Sequence, residues 1–377
     1  MAIGGGGLVI KSAAGAGVAV PAGLRPRDAQ GGVLRGGALV GVAPAKINLT
    51  LEVIGRRPDG FHELESVLAP LALSDELWVR QLALGRPAAV PQLRSARPAG
   101  DRLSISGADD VPTEGNLVLR AAALLRAEAG RPLSPLALRL LKRIPAAAGL
   151  GGGSSDALVA LDLAAAAWRL RLGIRRRMKL ATTLGSDVPF FALGGWALVG
   201  GRGERLRRLP PPKGGPLGVL LVVPTARLST RDVFAALDAA DTVRLAGSAE
   251  PGGLRQDACR RMASPGRSHP GATRHLAAVL RRGAPVSEVA DLQPANDLFP
   301  AAVVLLPGLD HLRRNLGDVL GRPVHLTGSG PTLVVLYPSA GAARRAATAV
   351  RAAVARGALQ PPGGSLQVIA TITGGEA

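Results

Sequence analysis

Pro145-Ala146-Ala147-Ala148-Gly149-Leu150-Gly151-Gly152-Gly153-Ser154-Ser155-Asp156 is the stretch on which the reading of this chain turns. Glycine tolerates positive φ and lets the backbone approach a ligand closely. Ser154, Ser155 and Asp156 are N-cap residue types for an apolar helix expected from about Ala157 to Trp168. A glycine loop opening into a helix N-terminus gathers free N–H groups under the positive end of a helix dipole, which makes a phosphate site. No Gly-Lys-[Ser/Thr] follows, so this is not a P-loop. The glycine spacing is not that of the dinucleotide-binding fingerprint, and no acidic residue follows at the ribose distance. A flexible Gly-Ser linker is the competing reading. The framing by Lys142-Arg143-Ile144 and by the apolar helix argues against it.

Working outward, 377 residues are too many for one ordinary core, which predicts two domains with decoration. Aromatic residues make up only 2%, so Ala, Leu and Val must build the interior. The single Cys259 excludes an internal disulfide framework and a cysteine metal site. No apolar run is long enough for a membrane span, because 298–307 is broken by Pro300 and Pro307. Lys11 interrupts the early apolar segment, so no signal peptide is expected and the expected compartment is the cytoplasm. The net charge is +19. Its arginines are dispersed, and the densest cluster, Arg175-Arg176-Arg177 with Lys179, has no interleaved aromatic residues. Nucleic acid is therefore not the expected partner. A polyanionic small molecule suits the field better, and the chain is expected to act as a monomer or homodimer.

Residues 1–40 read as a low-complexity extension outside the fold. An N-terminal domain is expected over 41–210 and a C-terminal domain over 211–377, with a Pro- and Arg-rich loop insertion at 85–100 and another insertion near 243–290. Order is expected from Val42. Ile47, Leu49, Leu51 and Val53 alternate with polar residues as in a half-buried strand. Residues 67–79 read as a strand pair turning at Ser74-Asp75. Asn116–Ala129 reads as a helix, Leu136–Ile144 as the strand that delivers the glycine loop, and Met178–Leu184 as a short helix. Strands and helices without a regular βαβ rhythm indicate an α+β fold.

A phosphate loop without its own lysine needs charge and a base from elsewhere. Lys46, placed at the start of a strand, is one candidate; an ordinary surface lysine is the alternative. Only five of the 46 Lys and Arg residues are Lys, so a lysine here stands out. Asp187, in Gly185-Ser186-Asp187-Val188-Pro189, is a second candidate; an N-cap or Asx-turn aspartate is the alternative. His62, after Asp59-Gly60-Phe61, suits either a general base or a ring stacked on a flat ligand.

The glycine loop resembles that of the galactokinase, homoserine kinase, mevalonate kinase and phosphomevalonate kinase superfamily. Pro44-Ala45-Lys46-Ile47-Asn48-Leu49, Gly55-Arg56-Arg57-Pro58-Asp59-Gly60-Phe61-His62-Glu63-Leu64 and Gly185-Ser186-Asp187-Val188-Pro189-Phe190-Phe191 are similar to segments of the 4-diphosphocytidyl-2-C-methyl-D-erythritol kinase family. Gly201-Arg202-Gly203-Glu204 and Leu326-Thr327-Gly328-Ser329-Gly330 fit in the same order. The resemblance covers roughly 42–372 apart from the insertions. It departs at Gly115, where an acidic residue is more usual, and at Phe299, where a glutamate is expected. It implies a ribosomal protein S5 domain 2-like N-terminal domain and a ferredoxin-like C-terminal domain with the site between them. It implies Lys46 and Asp187 as the catalytic pair. ATP is implied on Pro145, Ala146, Ala147, Ala148, Gly149, Leu150, Gly151, Gly152, Gly153, Ser154 and Ser155, with Mg²⁺ accompanying it and Ser155 as a contact. The cytidine ring is implied near Phe61 and His62, with Asn48 close to the substrate. A relative acting on homoserine or a mevalonate would share the glycine loops but not Asp59-Gly60-Phe61-His62. A non-catalytic RNA-binding S5-like protein would not need both Lys46 and Asp187.

Overall fold

The computed structural model describes residues 8–10, 18–20, 38–82, 100–247, 271–293 and 295–374. Strands β1 (Leu8–Ile10) and β2 (Val18–Val20) pair with each other. The rest of the 1–40 segment up to residue 37, most of the 85–100 segment and residues 248–270 of the 243–290 segment lie outside the described residues.

Two long antiparallel strands form the spine, β3 (Leu39–Arg56) and β4 (His62–Gln81). β3 thus begins three residues before the expected Val42. The expected alternation of Ile47, Leu49, Leu51 and Val53 is present, but Asn48, Thr50 and Glu52 are buried as well. The strand is covered on both faces, not half-buried, because the C-terminal part of the chain packs on its polar side. The Glu52 carboxylate there accepts the backbone N–H groups of Gly271 and Thr273, at 2.6 and 3.1 Å.

The expected strand pair over 67–79 is instead a continuous strand. Ser74-Asp75 does not turn, because Asp75 is fully buried and its carboxylate accepts from Lys142 Nζ and from the backbone N–H of Ile144. A carboxylate satisfied by tertiary donors has no need of the local backbone bonds that make an Asx turn.

β5 (Arg102–Ser106), β6 (Leu136–Leu141), β4, β7 (Ala197–Gly201) and β8 (Arg205–Arg208) complete the N-terminal sheet in the order β5-β6-β4-β7-β8. Helix α1 (Leu117–Ala129) is capped by Asn116, whose side chain accepts from the Val118 N–H, and ends on a left-handed Gly130. It packs with α2 (Gly152–Ala167) on the sheet, and α3 (Ile174–Leu184), four residues longer at its start than expected, and α4 (Val188–Leu193) close that core.

A second sheet has the order β10-β11-β9-β12, from β9 (Gly218–Pro224), β10 (His325–Leu326), β11 (Leu333–Tyr337) and β12 (Leu366–Ile372), and every pairing in it is antiparallel. Its helices are α5 (Thr230–Gly247), α6 (Ala272–Arg281), α7 (Val286–Asp291), α8 (Phe299–Leu305), α9 (Gly308–Leu320) and α10 (Ala340–Ala355). The end of the expected 243–290 insertion is therefore regular structure. Leu276, Leu280 and Val289 pack with Ile47 and Leu49 of β3 and with Val219 and Leu221 of β9 in one apolar cluster that spans both sheets. Among the described residues no helix is long and apolar enough to cross a membrane.

His325 on β10 is buried, and neither ring nitrogen has a partner among the described residues. Burial pushes its pKa down to about 3, so the ring is neutral in the folded chain. The unfolded ring, with its ordinary value of 6.5, takes up a proton that the native ring refuses. Stability is expected to fall as pH drops below 6.5, by about 1.4 kcal/mol per pH unit from this group until its folded value is reached. His325→Leu should flatten that part of the curve, which urea denaturation at about pH 7 and pH 5 measures. An unchanged slope would mean that the ring is protonated in place.

Candidate active site

Lys46 lies in the middle of β3, not at its start, beside an irregularity where the register with β4 shifts between Pro44 and Lys46. Its backbone N–H donates to the Leu150 carbonyl at 2.9 Å and so ties the strand to the glycine loop. Its Nζ donates to Asn48 Oδ1 at 2.7 Å and stands 3.5 Å from Asp187 Oδ2. The Lys46 side chain is 5% exposed and that of Asp187 43%. The ammonium is thus withheld from bulk water while the carboxylate remains open to a ligand. Asp187 holds the N-cap position of α4 but its side chain makes no cap hydrogen bond. The residue has the backbone place of a capping aspartate and leaves its carboxylate for Lys46.

Asn48 is set by three bonds. Its Nδ2 donates to Ser66 Oγ at 2.8 Å, its backbone N–H donates to Thr327 Oγ1 at 2.7 Å, and its Oδ1 takes the Lys46 ammonium. It orients Lys46 from behind and also lines the cleft.

The glycine loop departs from expectation at its helix. α2 begins at Gly152, five residues before Ala157, with left-handed Gly151 as N-cap and no side chain capping it. Ser154, Ser155 and Asp156 lie inside the helix, because Gly152 and Gly153 themselves take helical backbone angles. The first N–H groups are therefore left for a ligand. Residues 145–154, Lys46, Asn48, Phe61, His62 and Asp187 all line one cleft of about 1000 Å³. Ser155 does not. Its hydroxyl is buried and unpartnered among the described residues, turned into the helix packing and away from the cleft wall.

A second glycine loop, 326–330, closes on the first. A Cβ on Gly328 would stand 3.1 Å from the Gly149 carbonyl and 3.4 Å from both Asn48 Oδ1 and Lys46 Nζ. Thr332 Oγ1 donates to the Ala148 carbonyl at 2.7 Å, and Asn296 Nδ2 donates to the carbonyls of Leu326 and Gly328 at 2.9 and 2.8 Å. Gly151 presses equally close on the other side: its φ is +70°, and a Cβ there would lie 2.9 Å from Lys46 Cγ.

Beneath the loop lies a buried charge group that the sequence reading did not single out. Lys142, at the exit of β6, bonds Asp75 and, at 2.8 Å, Asp156 Oδ2 on α2. Asp75 also accepts the Ile144 N–H at 2.8 Å. One ammonium thus joins the strand entering the loop to the helix leaving it. Asp75 has several donors, whereas Asp156 Oδ1 has no partner among the described residues. Burial pushes the Asp156 carboxyl up to about 7, and the two carboxylates beside Lys142 hold its ammonium above its usual value despite burial. The available signal was the rarity of lysine, which had drawn notice to Lys46 but was not applied to Lys142.

The far end of the cleft carries Phe61 and His62. Phe61 is half exposed, with the Arg202 guanidinium 3.5 Å over its ring. His62 is the first residue of β4. One face of its ring stacks on Phe234 of α5 at 4.8 Å, and its Nε2 lies 2.8 Å from Asp238 Oδ1. Phe234 and Asp238 come from a helix distant in sequence and carry no local motif.

Two outcomes follow from this geometry. Lys142→Met is expected to destabilise the fold by about 3 kcal/mol or more, since it strands buried carboxylates, and Asp156→Asn by clearly less; equal losses in urea denaturation at neutral pH would refute the unequal sharing of charge. Gly151→Ala is expected to lower turnover at least about tenfold, because a displacement of about 1 Å in a catalytic group costs that much or more. Steady-state kinetics at saturating substrate would reveal it, and unchanged turnover would mean that Lys46 needs no such packing.

Comparison with known proteins places these features. The N-terminal domain family of the GHMP kinases matches residues 116–195, and the GHMP kinase C-terminal family matches residues 276–356. The chain is 37% identical to 4-diphosphocytidyl-2-C-methyl-D-erythritol kinase of Pelotomaculum thermopropionicum over 83% of this chain and 94% of that protein. It is 36% identical to the enzyme of the same name from Anaeromyxobacter sp., over 85% of this chain and 87% of that one. A crystal structure of 4-(cytidine 5'-diphospho)-2C-methyl-D-erythritol kinase superposes with a TM-score of 0.60 at 32% identity, covering 89% of this chain and all of that one. With its paired glycine loops and the Lys46–Asp187 contact on that shared framework, the chain belongs to the 4-diphosphocytidyl-2-C-methyl-D-erythritol kinase family.

Proposed function

We propose that the cleft moves the γ-phosphoryl group of ATP onto the 2-hydroxyl of 4-diphosphocytidyl-2-C-methyl-D-erythritol, the kinase step of non-mevalonate isoprenoid precursor synthesis. The observation that carries this reading is the Lys46–Asp187 contact of 3.5 Å beside an uncapped helix N-terminus. Asp187 accepts the proton of the acceptor hydroxyl as the new P–O bond forms. Lys46 steadies the negative charge on the acceptor oxygen and on the group in transfer, and Asn48 holds its ammonium in line. The backbone N–H groups that open α2 hold phosphate oxygens, and the loop glycines let them come close. Phosphoryl transfer asks for this positioning and charge more than for covalent help. ATP supplies the phosphoryl group.

Mg²⁺ belongs to the same reading as counter-ion of the triphosphate. Among the described residues no group of three or more His, Cys, Asp or Glu could hold a metal, so those residues offer no cage of their own. Mg²⁺ in such sites keeps several waters and is held by substrate phosphates with one or two protein ligands. Ser154, at the start of α2 on the cleft wall, is the hydroxyl residue that would reach it in place of Ser155.

The second sheet, in which β9 is followed by helices α5–α9, then β10 and β11, then α10 and β12, with every pairing antiparallel, supports a ferredoxin-like reading of the C-terminal domain over 211–377, with extra helices in its first crossover. The N-terminal sheet with α1 and α2 on one side supports the S5 domain 2-like reading of 41–210.

The test is ADP release by the full chain with ATP and, in parallel, the cytidyl substrate, homoserine and mevalonate. Turnover is expected with the first; faster turnover with either of the others would overturn the proposal. Asp187→Asn and Lys46→Met are each expected to fold and to lose about 10²–10⁴-fold in turnover. Near-normal turnover in Asp187→Asn would remove its role as base.

A further inference from the structure

His62 is gripped by a single helix face. Phe234 and Asp238 are four residues apart on α5, so both side chains project to the same side. Phe234 covers one face of the imidazole at 4.8 Å with an interplanar angle of 25°, and Asp238 Oδ1 meets Nε2 at 2.8 Å. The His62 side chain is only 11% exposed. Among the described residues no partner is found for its Nδ1, and the residue lines the cleft.

A neutral imidazole has one N–H and one lone pair. A carboxylate accepts hydrogen bonds and cannot donate them. With Asp238 on Nε2, that nitrogen carries the hydrogen and Nδ1 is left with the lone pair. Nδ1 is then an acceptor on a side chain that lines the cleft. The 4-amino group of cytosine donates, whereas the O4 of uracil only accepts. An acceptor-only nitrogen pairs with the first and opposes the lone pairs of the second.

We infer that Asp238 is a positioning residue that fixes the tautomer of His62 and so makes the base subsite select an amino-bearing pyrimidine over an oxo-bearing one. This rests on the reading of Phe61 and His62 as the cytidyl subsite. Asp238→Asn keeps the shape but offers both a donor and an acceptor to Nε2, so either tautomer is then accommodated.

Two measurements separate the inference from the reading beneath it. The first is tautomer state by nitrogen NMR of ¹⁵N-histidine-labelled full chain, with no ligand present. The Nε2–H form is expected for His62 in the native chain, with a shift toward Nδ1–H in Asp238→Asn and a return in Asp238→Glu. An unchanged tautomer in Asp238→Asn would overturn the inference whatever the substrate. The second is the ratio of affinities for cytidine diphosphate and uridine diphosphate by calorimetry. The native chain should prefer the cytidine form at least about tenfold, the scale set by leaving one polar group opposed. Asp238→Asn should cut that ratio severalfold, and His62→Ala should abolish it. A ratio that survives in Asp238→Asn would overturn the inference. A ratio that survives in His62→Ala would show that the base is read elsewhere, and the cytidyl subsite reading would fall with it. Turnover at saturating substrate should change little in Asp238→Asn, since a binding contact common to ground and transition states acts on KM.

Discussion

A buried ammonium must be answered, and in this fold much of the site is arranged around answering Lys46. Taking a charge from water costs several kcal/mol unless partners repay it. Lys46 has Asn48 and Asp187 as those partners. Asn48 can serve only because Ser66 and Thr327 hold it, and Thr327 belongs to the second glycine loop. That loop is drawn in by Asn296 and Thr332. Removing water from the ammonium, closing the two loops and bringing the two sheets together are therefore one structural event. A preorganised charge in a dry place is also the condition under which electrostatic stabilisation of a transferring group is strongest.

The second buried cation has a different task. Lys142 and Asp75 bind the strand entry of the glycine loop to its helix exit through Asp156. The loop is rich in glycine and would by itself lose much entropy on ordering. A charge group buried beneath it supplies the order from below and leaves the upper, ligand-facing surface as bare backbone. The two lysines thus lie on either side of the loop, Lys46 in the cleft beside Asp187 and Lys142 buried beneath it against Asp156.

Much of the active cleft was legible along the chain because its parts are local. Gly149 to Ser154 read as a phosphate loop from composition and order, and Lys46 and Asp187 stood out in short segments whose residue types matched a kinase family. The helix expected over Asn116–Ala129 was also readable, since its apolar period acts within a few residues; the structure starts it one residue later and makes Asn116 its cap. The misreadings share one cause. Ser74-Asp75 looked like a turn because Asp75 had no visible donor, and its donors lie near residue 142. Asn48, Thr50 and Glu52 looked exposed because the elements that cover them come from beyond residue 270.

Sequence alone therefore determined which groups the chain can bring to the cleft: the glycine loop, the Asp187 carboxylate, the Lys46 ammonium and the aromatic pair of Phe61 and His62. Tertiary structure decided which of these groups meet and in what state. It set Lys46 dry against Asp187, turned Ser155 inward and pinned His62 between Phe234 and Asp238. Residue type and local order dictate what a side chain can donate or accept. Burial, and partners far away in the chain, dictate which of those bonds is made and which is left for a ligand.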